Sequence, residues 1–167
     1  MALFGPPDVA RLEAEGKIDR LVRAGHYKKD PAVAAEARRA LTGFLDKCIQ
    51  RLQTKNLVQL NTARDALVII GEPARDRLIF IVQQGHLHRR QDAVYVLGIM
   101  GDPVAVKPLC VAMHNPDPLL RMIIVEALGK IGDPSAADML SKALGDPDKA
   151  VVDAARKALK KMAPAPD

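Results

Sequence analysis

The chain has 167 residues, 49% of them apolar, and a net charge of +5, so it is long enough to bury a core without disulfide or metal staples. Its apolar share comes mainly from Ala, Leu, Val and Ile, with 3% aromatic residues and no Trp; this suits closely packed helices and argues against base stacking on a nucleic acid. Residues 1–60 carry 11 basic and 7 acidic groups and the remainder 14 and 13, a mild excess that alternates in sign and lacks the dense basic stripe of a dedicated nucleic-acid binder.

The opening Met1-Ala-Leu-Phe-Gly-Pro-Pro has no basic segment, and Pro6 and Pro7 interrupt any apolar run, so it does not read as a signal peptide. No apolar stretch approaches the roughly 18 residues that a spanning helix requires, since even Leu119 to Leu128 contains Arg121 and Glu126. Cys48 and Cys110 stand in apolar helical patterns, where buried free thiols are expected. A cytoplasmic protein without membrane contact is the expectation.

In chain order, a helix over 7–15 is expected to cap the array (1–16). A pair over 17–27 and 31–41 follows, with Asp30 as helix cap (17–42), and then a pair over 44–53 and 57–70 (44–70). From there the chain repeats. Gly71, Gly101 and Gly132 recur at steps of 30 and 31, and Pro73, Pro103 and Pro134 follow them in register. Glu126-Ala-Leu-Gly-Lys-Ile-Gly-Asp-Pro-Ser-Ala-Ala aligns with Tyr95-Val-Leu-Gly-Ile-Met-Gly-Asp-Pro-Val-Ala-Val. Units are therefore placed at 73–101, 103–132 and 134–162, with a tail over 163–167 and a single domain over 1–167. In the middle unit Ala105, Leu109, Ala112 and Met113 make one apolar helix face, and Leu120, Ile124, Ala127, Leu128 and Ile131 make another. Asp117 and Asp148 suit N-caps. Gly132-Asp133-Pro134 offers in succession a left-handed C-cap, a capping carboxylate and a first-turn proline. Gly98 and Gly129 occupy matching sites inside second helices, where glycine costs roughly 1 kcal/mol relative to Ala, so close helix contact is expected there.

These features predict an all-α fold, a right-handed α-α superhelix or solenoid of about five helix pairs, stable through stacking rather than through any one pair. Asp102-Pro103-Val104-Ala105-Val106-Lys107-Pro108-Leu109, Asp117 with Arg121, and Glu126 to Asp133 resemble the HEAT-like repeats first noted in phycobilin lyase subunits. The resemblance covers about residues 17–162 and implies fold more than function, since relatives include binding scaffolds, lyase subunits, deoxyhypusine hydroxylases and alkylpurine DNA glycosylases. The hydroxylases hold a di-iron centre on His-Glu pairs, and this sequence has no His-Glu dipeptide. The glycosylases use tryptophans, and there is none here.

His86 and His88 in Gln84-Gly-His-Leu-His-Arg-Arg lack a third ligand nearby and read as a solvated inter-helix loop. His26 reads as a helix end. Arg90 and Arg121 resemble the ladder arginine of such repeats, which would pair with Asp102 and Asp133; an anion site would need them unpaired. Asp65 and Asp92 have no nucleophile beside them. No catalytic residue, metal or other cofactor is expected. In this resemblance the second helices line the concave face, whose outward positions include Ile69, then Gln91, Tyr95 and Ile99, then Met122, Glu126 and Lys130. An apolar centre with a charged rim is how protein interfaces are built. The expected role is a non-catalytic, monomeric scaffold binding another protein on this face. The alternatives are a nucleic-acid backbone binder using Lys28, Lys29, Arg38, Arg39 and the C-terminal lysines, or a phycobilin-lyase-like subunit that presents a substrate to a partner.

Overall fold

The structure, a computed structural model, describes residues 6–163. Ten α-helices and two 3-10 turns account for the regular structure, and there is no strand among the described residues. The fold is an all-α array of stacked helices, as the repeat predicts. The chain forms two compact units, Met1–Ala74 and Arg75–Asp167. The tail beyond Ala163 lies outside the described residues, as does the chain before Pro6.

In the first unit α1 (Val9–Ala14), α2 (Ile18–Gly25), α3 (Pro31–Arg51) and α4 (Leu57–Ile70) follow one another, and α3 packs on both α2 and α4. Asp30 accepts from the amides of Ala32 and Val33, with Pro31 in the first turn. The expected break near residue 42 does not occur, and α3 runs unbroken for 21 residues. The reason is phase. Ala34, Ala37, Leu41, Leu45, Cys48 and Ile49 form a buried stripe that continues through Thr42 and Gly43, and burial along that stripe outweighs the cost of one glycine. Thr42 Oγ1 donates back to the carbonyl of Arg38 at 2.9 Å. Gly43 is exposed, and a Cβ there would meet no atom within 4 Å. Gly43→Ala is therefore expected to stabilise the protein by about 1 kcal/mol and raise the melting temperature by about 2–4 °C, as read by thermal circular dichroism.

In the second unit the repeat is regular. α5 (Glu72–Gln84), which begins at the end of the first unit, is followed by α6 (Leu87–Met100), whose Arg90 donates back to the Gln83 carbonyl. A 3-10 turn over Pro103–Ala105 leads into α7 (Val106–Ala112), which pairs with α8 (Pro118–Ile131). A second turn over Pro134–Ala136 leads into α9 (Ala137–Ala143), which pairs with α10 (Lys149–Met162). Asp102, Asp117, Asp133 and Asp148 each cap the segment that follows through their carboxylates, satisfying amides that have no partner within the helix. Gly101 and Gly132 close α6 and α8 in the left-handed conformation, at φ 68° and 71°.

α8 lies between α6 and α10. Leu97, Leu120, Ile124, Leu128 and Leu140 are fully buried in this array. The two interior glycines mark the closest approaches. A Cβ on Gly98 would stand 2.8 Å from Cα of Ala127, and one on Gly129 would stand 2.6 Å from Cβ of Ala158. No helix among the described residues is long and apolar enough to cross a membrane.

Candidate functional site: the outward face of the second helices

α6 buries Ala93, Val94, Val96, Leu97 and Gly98, and this leaves positions 91, 95 and 99, one turn apart, on the opposite face. Tyr95 is 37% exposed and Ile99 46%. Gln91 is half-buried, and its side-chain amide donates to the Asp117 carboxylate at 3.1 Å, so it ties one pair to the next as well as bordering the face. On α8, Glu126 and Lys130 are exposed and Met122 is half-buried.

The Gly98–Ala127 approach brings α6 and α8 close enough for the Lys130 ammonium to stand 4.7 Å from the centre of the Tyr95 ring, a cation–π contact. Glu126 and Lys130 also border a cleft of about 250 Å³ that includes Lys157 and Lys161, with Gly129, Ala154 and Ala158 among its lining. The structure thus joins Tyr95, Lys130 and Glu126 into one surface, while Met122 recedes from it. Ile69, 48% exposed on α4, belongs to the first unit. The contribution of Lys130 to the aromatic site was not visible in spacing alone, because it depends on how closely the helices approach.

The arginine ladder differs from expectation. Arg121 grips Asp146 with Nε and Nη2, both at 2.8 Å, and donates from Nη1 to the carbonyls of Asn115 and Pro116. It does not pair with Asp133, whose carboxylate accepts from the amide and hydroxyl of Ser135. Asp102 is held by Arg75 at 2.7 Å, not by Arg90. The cause is position. Arg121 lies in the first turn of α8, at the edge of the inter-helix loops, and reaches the corresponding loop of the next pair; Asp102 and Asp133 stand at the opposite edge, where one pair hands over to the next. Side-chain hydrogen bonds from these arginines hold the Asp102 and Asp146 carboxyls below the usual carboxylate range.

Arg90 has a different environment. Its Nη2 donates to the carbonyl of Gln83 at 3.0 Å, while its Nε is buried with no acceptor among the described residues. Arg89 Nε is in the same condition. His86 caps α6 without a side-chain bond, and His88, expected in a loop, lies exposed in the first turn of that helix. Cys48 is buried and Cys110 half-buried, both free, and burial pushes both thiols up. No group of three or more His, Cys, Asp or Glu side chains converges among the described residues.

A protein built of repeated helix pairs on a Gly-Asp-Pro junction, with an arginine ladder and small-residue contacts between second helices, is an α-solenoid repeat protein. Within it, residues 88–160 match the model for HEAT repeats. No curated protein matches the sequence. Among solved structures, human deoxyhypusine hydroxylase in complex with glycerol is similar at a TM-score of 0.58 and 22% identity, over 92% of this chain and 66% of that one. The chain therefore spans slightly less than two thirds of that structure. An engineered protein (TM-score 0.46, 18% identity, 92% of this chain and 82% of that one) and a designed armadillo repeat protein (0.45, 14%, 95% and 87%) are also similar. At these identities the likeness concerns the fold alone.

Proposed function

We propose that the outward face of α6 and α8 binds a segment of another protein and that the chain is a non-catalytic scaffold. Tyr95 and Ile99 supply the apolar centre with Met122 at its edge, and Gln91, Glu126 and Lys130 form the polar rim; Ile69 is a further exposed apolar residue, on the first unit. The observation that carries this reading is the exposure of Tyr95 and Ile99 one turn apart on a rigid helix. Aromatic side chains so placed are frequent anchors at protein interfaces, worth about 2 kcal/mol or more when truncated.

The test is capture from a lysate of the source, comparing wild type with the Tyr95→Glu, Ile99→Glu double variant at low and moderate salt. A protein held by wild type, lost by the variant and insensitive to salt supports the reading, provided both proteins melt alike. Nucleic acid held equally by both and released as salt rises would transfer the function to the basic side chains, since backbone binding releases counterions. A bound protein that gains lyase activity only in the complex would favour the substrate-presenting alternative.

A further inference from the structure

We infer that the cleft between the loop edges of the α5–α6 and α7–α8 pairs binds a small organic monocarboxylate, its carboxylate held by Arg90 and its alkyl chain lying on the adjacent apolar wall. This cleft lies at the loop edge and is separate from the Tyr95 face, so the inference stands apart from the function proposed for that face.

The repeat itself supplies the template. Asp146 stands 25 residues after Arg121 and accepts its guanidinium side-on in two bonds. The residue 25 positions after Arg90 is Asn115. The two loop residues do the same local work: Asp146 Oδ1 accepts from the amide of Asp148 at 2.9 Å, and Asn115 Oδ1 accepts from the amide of Asp117 at 3.0 Å. They differ in the second side-chain atom, which is a carboxylate oxygen in one and an amide nitrogen in the other. Where the Arg121 rung holds a charge and its counter-charge, the Arg90 rung holds a charge and a second donor.

Both residues border one cleft of about 350 Å³, at the small end of the range of about 300–1,000 Å³ usual for ligand sites. None of its lining residues is acidic; His114 shares the polar end, and Pro108, Val111 and Ala112 form the apolar wall. Arg90 uses Nη2 on Gln83 and its Nε is closed off from solvent, which leaves the Nη1 end of the guanidinium for a ligand in the cleft. A planar carboxylate is the anion that a guanidinium fork suits, and a short alkyl chain matches the wall.

The test is a titration of ¹⁵N-labelled protein with sodium butyrate, set against sodium chloride at equal ionic strength and against butyramide. Butyrate is expected to shift the Arg90 Nε–H resonance and the amides of Val111 and Ala112 saturably, with a midpoint on the order of millimolar, while chloride and butyramide leave them unmoved. Arg90→Gln should abolish the shift. Asn115→Asp should abolish it too, because it restores the carboxylate within the chain, and that variant should melt no lower than wild type. An equal response to chloride or butyramide would overturn the site, as would the absence of saturation by butyrate or persistence of the shift in either variant.

Discussion

Leucine in place of Gly98 is expected to lower stability by about 3 kcal/mol and the melting temperature by about 6–12 °C. Beyond Gly98 lies backbone. Its Cβ would come within 2.8 Å of the Ala127 Cα and 2.9 Å of the Ala127 Cβ, so the clash cannot be relieved by turning a side chain. Even alanine should destabilise here, although helix propensity alone would favour it by about 1 kcal/mol. Ala127→Gly should rescue Gly98→Ala only in part, since it removes the Cβ contact and leaves the Cα. The opposite sign at Gly43, where a methyl group meets open space, makes the pair of substitutions a controlled comparison in one protein. Urea and thermal melts of the single and double variants would decide the matter; a Gly98→Leu protein as stable as wild type would mean that α6 and α8 can separate freely.

Arg121→Ala is expected to cost about 2 kcal/mol. It removes both bonds to Asp146 and leaves that carboxylate, 9% exposed at its side chain, with the amide of Asp148 as its remaining hydrogen bond. Lysine should not rescue, because a point charge cannot reproduce the planar two-bond fork. The same pair governs acid behaviour. Asp146 is held below the usual carboxylate range, so its contribution is fully present above about pH 4, the unfolded value, and is lost as pH falls through its lower folded value. Melting temperatures measured from neutral to about pH 2 should therefore fall less steeply for Arg121→Ala than for wild type. Equal acid slopes would show that other carboxylates carry the effect.

The junctions were legible because their chemistry is local. Gly132 needs a left-handed conformation, Asp133 accepts an amide two residues on, and Pro134 lacks the N–H that would go unpaired in any case. The contacts at Gly98 and Gly129 were legible in kind, since a glycine kept inside a helix requires a neighbour, but not in detail, because nothing local names Ala127 or Ala158. The continuity of α3 is not legible locally, because a glycine weakens a helix interior at Gly43, and only the buried stripe on either side shows that the helix continues. The ladder partners are not legible in the sequence for a related reason. Aspartates at the junctions are conspicuous in the sequence, whereas Asp146 becomes a partner only when the next pair stacks and brings its loop to Arg121. Asn115 acquires meaning only after that, as the residue standing where a carboxylate would be. Within the candidate face, exposure of Tyr95 and Ile99 followed from helix periodicity, while the cover of Lys130 over the Tyr95 ring and the diversion of Gln91 to Asp117 depend on helix spacing.

The ion pairs that fasten successive helix pairs in the second unit sit at opposite edges. Arg75 and Asp102 join the α5–α6 pair to the next at the junction edge, and Arg121 joins Asp146 at the loop edge. Each behaves as a clasp on one side of a stack of plates. The first step also carries a hydrogen bond with a neutral donor at its loop edge, from Gln91 to Asp117, so its ion-pair clasp and its neutral-donor one face each other across the stack.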